Sequence, residues 1–225
     1  MLSAEAGLHS VRARVVGAAL VTTLAAILIF LQLAESDWRT AFILFLCKDL
    51  IYVVYALRCR DSWMQRILLF LAILTAFNLV EDWLLVAHLQ VTHYNLPESH
   101  PPTLWHTPIF GFVAWPAMTM ELAILGAWLV SRLRWLGVLA VCGLGMMSIP
   151  IYDELALGLH WWRYDSARLF LHTPCFVIAA ESLLAGAIGW SAFALRKDGY
   201  LRVLRIGVTV GIYLLAITWL SYRFL

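Results

Sequence analysis

The residues best suited to chemistry in this 225-residue chain are carboxylic acids set inside apolar stretches. Glu81 and Asp82 lie in one such stretch, Glu121 in the next, Asp153 and Glu154 at the end of another, and Glu181 in a fourth. Lys48-Asp49 interrupts an earlier one. Two matched segments accompany them. Leu104-Trp-His-Thr-Pro-Ile-Phe110 precedes Glu121, and Phe170-Leu-His-Thr-Pro-Cys-Phe176 precedes Glu181. Each opens an apolar segment and follows one that carries adjacent acids. A recurring H-T-P-x-F in so short a chain reads as an internal repeat, with hairpins spanning about 67–130 and 135–195.

Charged groups inside a bilayer cost several kcal/mol and are functional candidates by default. Glu81, Asp82, Glu121 and Glu181 come from three segments with few bases near them. A carboxyl among like charges in an apolar cavity can hold a proton, and an ionised neighbour can stabilise a cation. That pairing suits an apolar polyene or prenyl substrate. One acid protonates a double bond or epoxide, and carboxylates and aromatic faces stabilise the carbocation. A base then removes a proton, or water adds. Such chemistry needs no nucleotide, redox cofactor or metal. Glu121 and Glu181 are the expected acid and cation-stabilising carboxylate, with Glu81, Asp82 and Asp153 completing the pocket. His106 and His172 would relay protons or orient these acids. Asn78, Asp49, Trp115, Trp162 and Tyr164 are the expected substrate-binding residues.

The elements that must position these groups are membrane helices. The chain is 63% hydrophobic and 13% charged, where a soluble domain carries about 25% charged residues. About 20 apolar residues span a bilayer. Seven segments qualify: Val15–Ala34, Thr40–Leu57, Ile67–Leu89, Pro108–Val130, Trp135–Tyr152, Pro174–Leu195 and Val203–Tyr222. The expectation is an all-α, single-domain bundle of seven transmembrane helices over residues 1–225. Asn78, Glu81, Asp82, Leu85 and His88 follow helical spacing, so the polar ones share a face. Pro116 and Pro150 would kink their helices and widen a cavity.

Orientation follows from Lys and Arg in the short loops. One side holds Arg12, Arg14, Arg58, Arg60, Arg66, Arg132, Arg134, Arg196, Lys197, Arg202 and Arg205; the other holds only Arg39, Arg163, Arg168 and Arg223. The N-terminus is expected in the cytoplasm and the C-terminus outside, in a membrane of the prokaryotic cytoplasmic type. Both long loops, Gln90–Thr107 and Glu154–Thr173, then face outward. They carry His93, His100, His106, His160, Trp161, Trp162 and Tyr164, which suggests a site opening on that face.

Plainer readings stand beside these. Thr107-Pro108 and Thr173-Pro174 are good helix starts, with Thr as cap and Pro in the first turn. Lys48 can simply pair with an acid on a neighbouring helix. His88, His93 and His100 read as interfacial polar residues. Trp38, Trp63, Trp105, Trp135, Trp161 and Trp162 read as an interfacial belt. The cysteines, Cys47, Cys59, Cys142 and Cys175, have no C-x-x-C spacing and read as small packing residues.

The acid-bearing helix pairs, together with Pro150-Ile-Tyr-Asp153-Glu154, Gly158, Trp162-Arg-Tyr164, Pro174 and Glu181, resemble the small integral-membrane carotenoid enzymes. These are the heterodimeric or fused lycopene cyclases, the carotenoid hydratases and, more distantly, the membrane terpene cyclases. Lycopene cyclases carry Pro-x-Glu-Glu just inside a helix start; here Cys175, Phe176 and Val177 follow Pro174, and the glutamate comes at Glu181. The resemblance covers about a third of the chain and implies acid-driven conversion of an isoprenoid.

Two other classes remain open. A metal-dependent intramembrane lipid hydrolase would draw ligands from His106, His172, His160 and Asp153, with Glu81. A proton-coupled transporter or an accessory subunit of a membrane complex would also use intramembrane acids. A retinal-type receptor is disfavoured, because Val203–Tyr222 has no lysine for a Schiff base. Nothing points to a nucleic-acid partner, and the oligomeric state is not legible.

Overall fold

The computed structural model describes residues 12–25, 28, 38–94, 101–165, 167–197 and 199–225. Residues 12–25 are helical and form the described part of α1. The rest of Val15–Ala34 lies largely outside the described residues, as does His100. Then come α2 (Trp38–Arg58), α3 (Ser62–Trp83), α4 (Ile109–Leu133), α5 (Trp135–Gly158), α6 (Cys175–Ala194) and α7 (Tyr200–Phe224). The last six are each long and apolar enough to cross a membrane, counting α3 with the turn that extends it to His88. The chain is therefore a multi-pass membrane protein by the length and composition of its helices.

Helix α3 starts where Asp61 caps it, accepting the Met64 N–H at 3.2 Å. Its far end is not plain α-helix. Leu84–His88 widens into a π-turn, which the apolar periodicity did not reveal. His88, at the end of the π-turn, is exposed, whereas Asn78, Glu81 and Leu85 are buried. The imidazole stacks on Trp83 and tilts against Trp219. Helix α5 runs six residues past the expected end at Tyr152, so Asp153 and Glu154 lie within it.

Helix α6 is central. It packs on α4, α5 and α7, while α7 also covers α3 and α2 leans on α4. Small residues let the axes approach. A Cβ on Gly126 of α4 would sit 2.6 Å from the Gly189 Cα of α6. A Cβ on Gly145 of α5 would sit 2.7 Å from the Ala185 Cβ. Close backbone approach is how helices associate where lipid removes the hydrophobic driving force. The main core holds Tyr52, Met64, Phe70, Leu74, Met120, Leu184 and Leu214, all buried.

The long loops contain short strands that the sequence did not predict. β1 (Thr92–Tyr94) pairs antiparallel with β4 (Trp162–Tyr164), Tyr94 facing Trp162 and Thr92 facing Tyr164. β2 (Thr103–Leu104) pairs with β3 (Thr107–Pro108), and β5 (Leu169–Phe170) with β6 (Thr173–Pro174). The two H-T-P stretches therefore share one local form, a tight hairpin that feeds a helix. Trp105 and Leu171 take φ 55 in the two turns. Ile109 N–H donates to the Pro102 carbonyl and Cys175 N–H to that of Arg168, both at 2.8 Å.

That form corrects the expectation of a threonine cap. Pro108 and Pro174 occupy the cap positions and no side chain caps either helix. Both threonines are buried and directed elsewhere. Each histidine falls in the turn itself, which is why both are exposed.

Candidate functional site

A cavity of about 830 Å³ runs along α4 between α1, α3, α5 and α6. Its walls are mostly apolar. Gly111, Trp115, Met118, Leu125 and Trp128 follow one side of α4, and Leu144, Ser148 and Tyr152 follow α5. From Gly111 to Trp128 the helix rises about 25 Å. Leu125, Trp128 and Leu144 are 43%, 53% and 38% exposed, so part of the wall is open at the level of the bilayer.

One end gathers the acids. Glu81 and Asp82 from α3, Asp153 from α5 and Glu181 from α6 all line the cavity, as does Asn78. Glu81 is held by two neighbours. Asn78 Nδ2 donates to its Oε2 at 3.3 Å, and the Thr218 hydroxyl of α7 donates to its Oε1. Glu81 is also near enough to Asp82 for their charges to interact.

Asp82 and Asp153 have matching surroundings. The Tyr94 hydroxyl donates to Asp82 Oδ2 at 3.2 Å, and the Tyr164 hydroxyl approaches Asp153 Oδ1 at 3.5 Å. Thr107 Oγ1 donates to Asp82 Oδ2 at 2.6 Å. Thr173 stands beside Asp153, but without hydrogen-bond geometry. Thr173 Oγ1 and Asp153 Oδ2 are both buried with no hydrogen-bond partner among the described residues. Trp162 Nε1 donates to Asp153 Oδ1 at 3.2 Å, so the carboxyl is fixed through one oxygen only.

The β1–β4 ribbon supplies these donors. Pairing Tyr94 with Trp162 and Thr92 with Tyr164 brings three aromatic side chains onto the acid end of the cavity. Burial and the neighbouring carboxyls push the Tyr94 and Tyr164 phenols well above the usual tyrosine range. Both are O–H donors at neutral pH. Tyr152 completes the aromatic wall, its ring 5.4 Å from that of Trp162.

Glu181 differs from the other three acids. It makes no hydrogen bond or ion pair among the described residues, and its surroundings include the charges of Glu81, Asp153 and Asp82. It lines the cavity from α6, the helix that packs on both α4 and α5.

Glu121 also lines the cavity, but it is spoken for. Lys48 Nζ lies 2.8 Å from its Oε1, and the Tyr52 hydroxyl donates to the same oxygen at 2.9 Å. Asp49 is near this pair without reaching the cavity wall. Of the expected substrate-binding residues, Asn78, Trp115, Trp162 and Tyr164 line the cavity and Asp49 does not.

The histidines lie elsewhere. His106 and His160 are exposed, and His172 Nδ1 meets Glu154 Oε1 at 2.8 Å on the surface. His106, His172 and His160 do not converge on Asp153, and no three His, Cys, Asp or Glu side chains among the described residues form a metal-binding group. Residues that the sequence reading passed over include Tyr94, Thr107, Tyr152, Thr218 and Tyr52. A signal existed for the first of them. Asp82 and Asp153 are followed after twelve and eleven residues by Tyr94 and Tyr164.

With this geometry in view, comparison with known proteins gives one match. A family model described as Domain of unknown function (DUF6989) covers residues 79–225. The chain belongs to that family. The matched span begins just before Glu81 and holds every acid that lines the cavity, both H-T-P hairpins and the β1–β4 ribbon. It leaves out Lys48, Asp49 and Tyr52, which lie on α2. No curated protein and no solved structure matches the chain.

Proposed function

We propose that the chain is a membrane-embedded acid–base enzyme that converts an isoprenoid lipid of the carotenoid or terpene type by protonation followed by cyclisation, hydration or isomerisation. One observation carries the reading. Glu181 is a carboxyl without a hydrogen-bonding partner among the described residues, lining a largely apolar cavity with three other carboxyls around it. A proton donor in such a site faces no competing solvent and gives its proton to a weakly basic double bond only because developing positive charge is stabilised nearby.

Roles follow from the surroundings of each acid. Glu181 donates the proton. Asp82 and Asp153, held by Tyr94, Thr107, Trp162 and Tyr164, are fixed charges that stabilise the cation. The faces of Trp162 and Trp115 assist them. Glu121, paired with Lys48, serves as a stabilising dipole rather than as the acid. Asn78 and Thr218 orient Glu81, which accepts the final proton. The aliphatic remainder of the substrate lies along α4 toward Trp128.

The reading includes seven crossings with the N-terminus in the cytoplasm and the C-terminus outside, hairpins repeated over 67–130 and 135–195, and an acid end near the outer face of a prokaryotic-type membrane. The basic loops and the matched H-T-P hairpins support it. No cofactor is required by the chemistry.

The test begins with mass spectrometry of lipids that co-purify with the protein, followed by turnover assays on linear polyenes and prenyl epoxides. Glu181→Gln is expected to lower turnover by about 10²-fold or more. Full activity in both Glu181→Gln and Glu121→Gln would reject the assignment.

A further inference from the structure

Among the described residues the cavity is open on one side, and that side faces lipid. The lining residues that are exposed, Gly17 and Leu20 among them, all belong to α1, α4 and α5. Those from α3, α6 and the β1–β4 ribbon are buried or half-buried. Trp128 lies five residues before the end of α4 at Leu133, and Ser148 thirteen after the start of α5 at Trp135. The gap therefore runs from about 8 to about 20 Å into the bundle from its basic end. A hydrocarbon core is about 30 Å thick, so lipid tails rather than water meet this gap. Its rim is apolar, and even Ser148 turns its hydroxyl back to the Gly145 carbonyl at 3.3 Å. A Cβ on Gly17 would meet nothing within 4 Å, so no neighbouring element fills the gap there.

The acid end is roofed instead. The β1–β4 ribbon supplies Tyr94, Trp162 and Tyr164 to its wall. Val91 and Trp161, which lead into the two strands, are 1% and 3% exposed. The Asp165 N–H donates to the Val91 carbonyl at 2.9 Å and extends the pairing. Two side chains tie the ribbon down, Tyr94 to Asp82 of α3 and Trp162 to Asp153 of α5. Entry from this side would have to break these contacts. The polar outer loops, which suggested an outward opening, thus cover the acids.

No described cation waits inside. Arg12, the basic residue on the described wall, gives its Nε and a terminal nitrogen to Asp61, at 2.9 and 2.7 Å. Lys48 is paired with Glu121. An anionic head group carried to the acids would be buried without a partner, which costs several kcal/mol.

We infer that the cavity takes its ligand sideways out of the bilayer, through the gap that α1 and α5 leave over Leu125 and Trp128, and that this ligand is a long-chain neutral lipid rather than an anionic amphiphile such as a prenyl phosphate. The leading end reaches the acids, and the tail trails through the gap into the membrane. The route deepens the proposed function by naming how its substrate arrives, but it does not need that chemistry. A protein that takes up the lipid through the gap and turns over no isoprenoid keeps the inference and loses the proposed function. Turnover that stops when the ribbon is stapled does the reverse.

The experiment uses the full-length protein in nanodiscs of zwitterionic lipid. Two photoreactive probes are dissolved in the bilayer. Each is a geranylgeranyl chain with a diazirine beside its head, which is a methyl ether in one and a phosphate in the other. After illumination, mass spectrometry counts the attached probe and maps the labelled residues. The expected result is one ether per chain, attached to residues at the acid end, and at least about tenfold less labelling by the phosphate. Gly17→Trp combined with Leu144→Trp fills the gap and should remove most of the labelling. His93→Cys with Arg163→Cys staples the ribbon. These residues face one another across it, are exposed and lie off the cavity wall. Directly opposed residues have Cα atoms about 4.5–5.5 Å apart, within disulfide reach. The oxidised staple should leave labelling unchanged. If the gap-filled variant fails to fold, the staple still decides, because one sample is compared before and after reduction. Labelling that the staple abolishes and reduction restores, full labelling of the gap-filled variant, equal labelling by the phosphate, or no labelling at the acid end would each overturn the inference.

Discussion

Lys48 and Glu121 form an ion pair across α2 and α4, Nζ to Oε1 at 2.8 Å, with the lysine only 3% exposed. A buried pair contributes little net stability over an apolar pair of the same shape, but removing one partner strands the other. Glu121→Gln should therefore destabilise the protein by about 3 kcal/mol. Adding Lys48→Met should restore most of the loss. Thermal unfolding in detergent of the two single variants and the double variant checks this. Equal damage from the double and the single variants would show that the pair is not coupled.

The two threonines of the H-T-P hairpins should not be equivalent. Thr107 Oγ1 donates to Asp82 at 2.6 Å, whereas Thr173 Oγ1 has no hydrogen-bond partner among the described residues. Thr107→Val should cost about 1–3 kcal/mol, because it leaves a buried carboxylate short of a donor. Thr173→Val should cost nothing or stabilise slightly, because it replaces an unsatisfied hydroxyl by a methyl of similar volume. Denaturation midpoints of the two variants would reverse the reading if Thr173→Val proved the more damaging.

Tyr94 and Tyr164 predict a pH dependence. Burial and nearby carboxyls raise both phenols well above their ordinary value of 10. The unfolded chain releases these protons near pH 10 and the folded chain does not. Their contribution is fully present below pH 10 and is lost as pH rises above it. The parent protein should lose stability above about pH 10, and Tyr94→Phe with Tyr164→Phe should flatten that fall. An unchanged slope in the double variant would argue against the buried phenols.

Glycines should divide by what lies opposite them. Gly126→Ala would set a Cβ 2.6 Å from the Gly189 backbone, which cannot yield as a side chain can. A cost of more than about 1 kcal/mol is expected. Gly143→Ala meets nothing within 4 Å inside α5 and should stabilise by up to about 1 kcal/mol. Thermal melts of the two variants should move in opposite directions.

Asp61 joins three elements at the opposite end of the bundle. Its carboxylate receives Arg12 of α1, the Tyr55 hydroxyl of α2 at 2.9 Å and the Met64 N–H that starts α3. Asp61→Ala should cost about 3 kcal/mol, combining a lost cap with a broken buried ion pair. Urea or thermal unfolding with Tyr55→Phe as a milder comparison tests whether the three contacts act together.

Much of this protein was legible because a bilayer constrains sequence tightly. Helices must satisfy their own backbone and be apolar on the outside. The boundaries of α4 and α7 therefore fell within a few residues of the apolar segments Pro108–Val130 and Val203–Tyr222. Acids that are costly in lipid must face inward. Glu81, Asp82, Asp153 and Glu181 could thus be singled out, and they do line one cavity. Asn78, Trp115, Trp162 and Tyr164 reached it as well.

The histidines show where that logic stops. Repetition made His106 and His172 conspicuous, but a repeat records shared local geometry as readily as shared chemistry. Both sit in two-residue turns of hairpins too short to give a period-two signal, and the turn directs them to solvent. The threonine beside each, which looked like a helix cap, points into the protein instead. Which acid stands alone was likewise invisible. Glu121 and Glu181 lie thirteen and seven residues past the prolines of the two matched stretches, and only the packing of α2 against α4 gives Lys48 to the first and leaves the second without a base among the described residues. The sequence by itself determined a membrane bundle with acids turned inward, because hydropathy and charge cost act residue by residue. The tertiary structure decided which acids meet, which are neutralised and which tyrosines cover them. Those contacts join residues 11 to 137 positions apart, and hydropathy does not encode them.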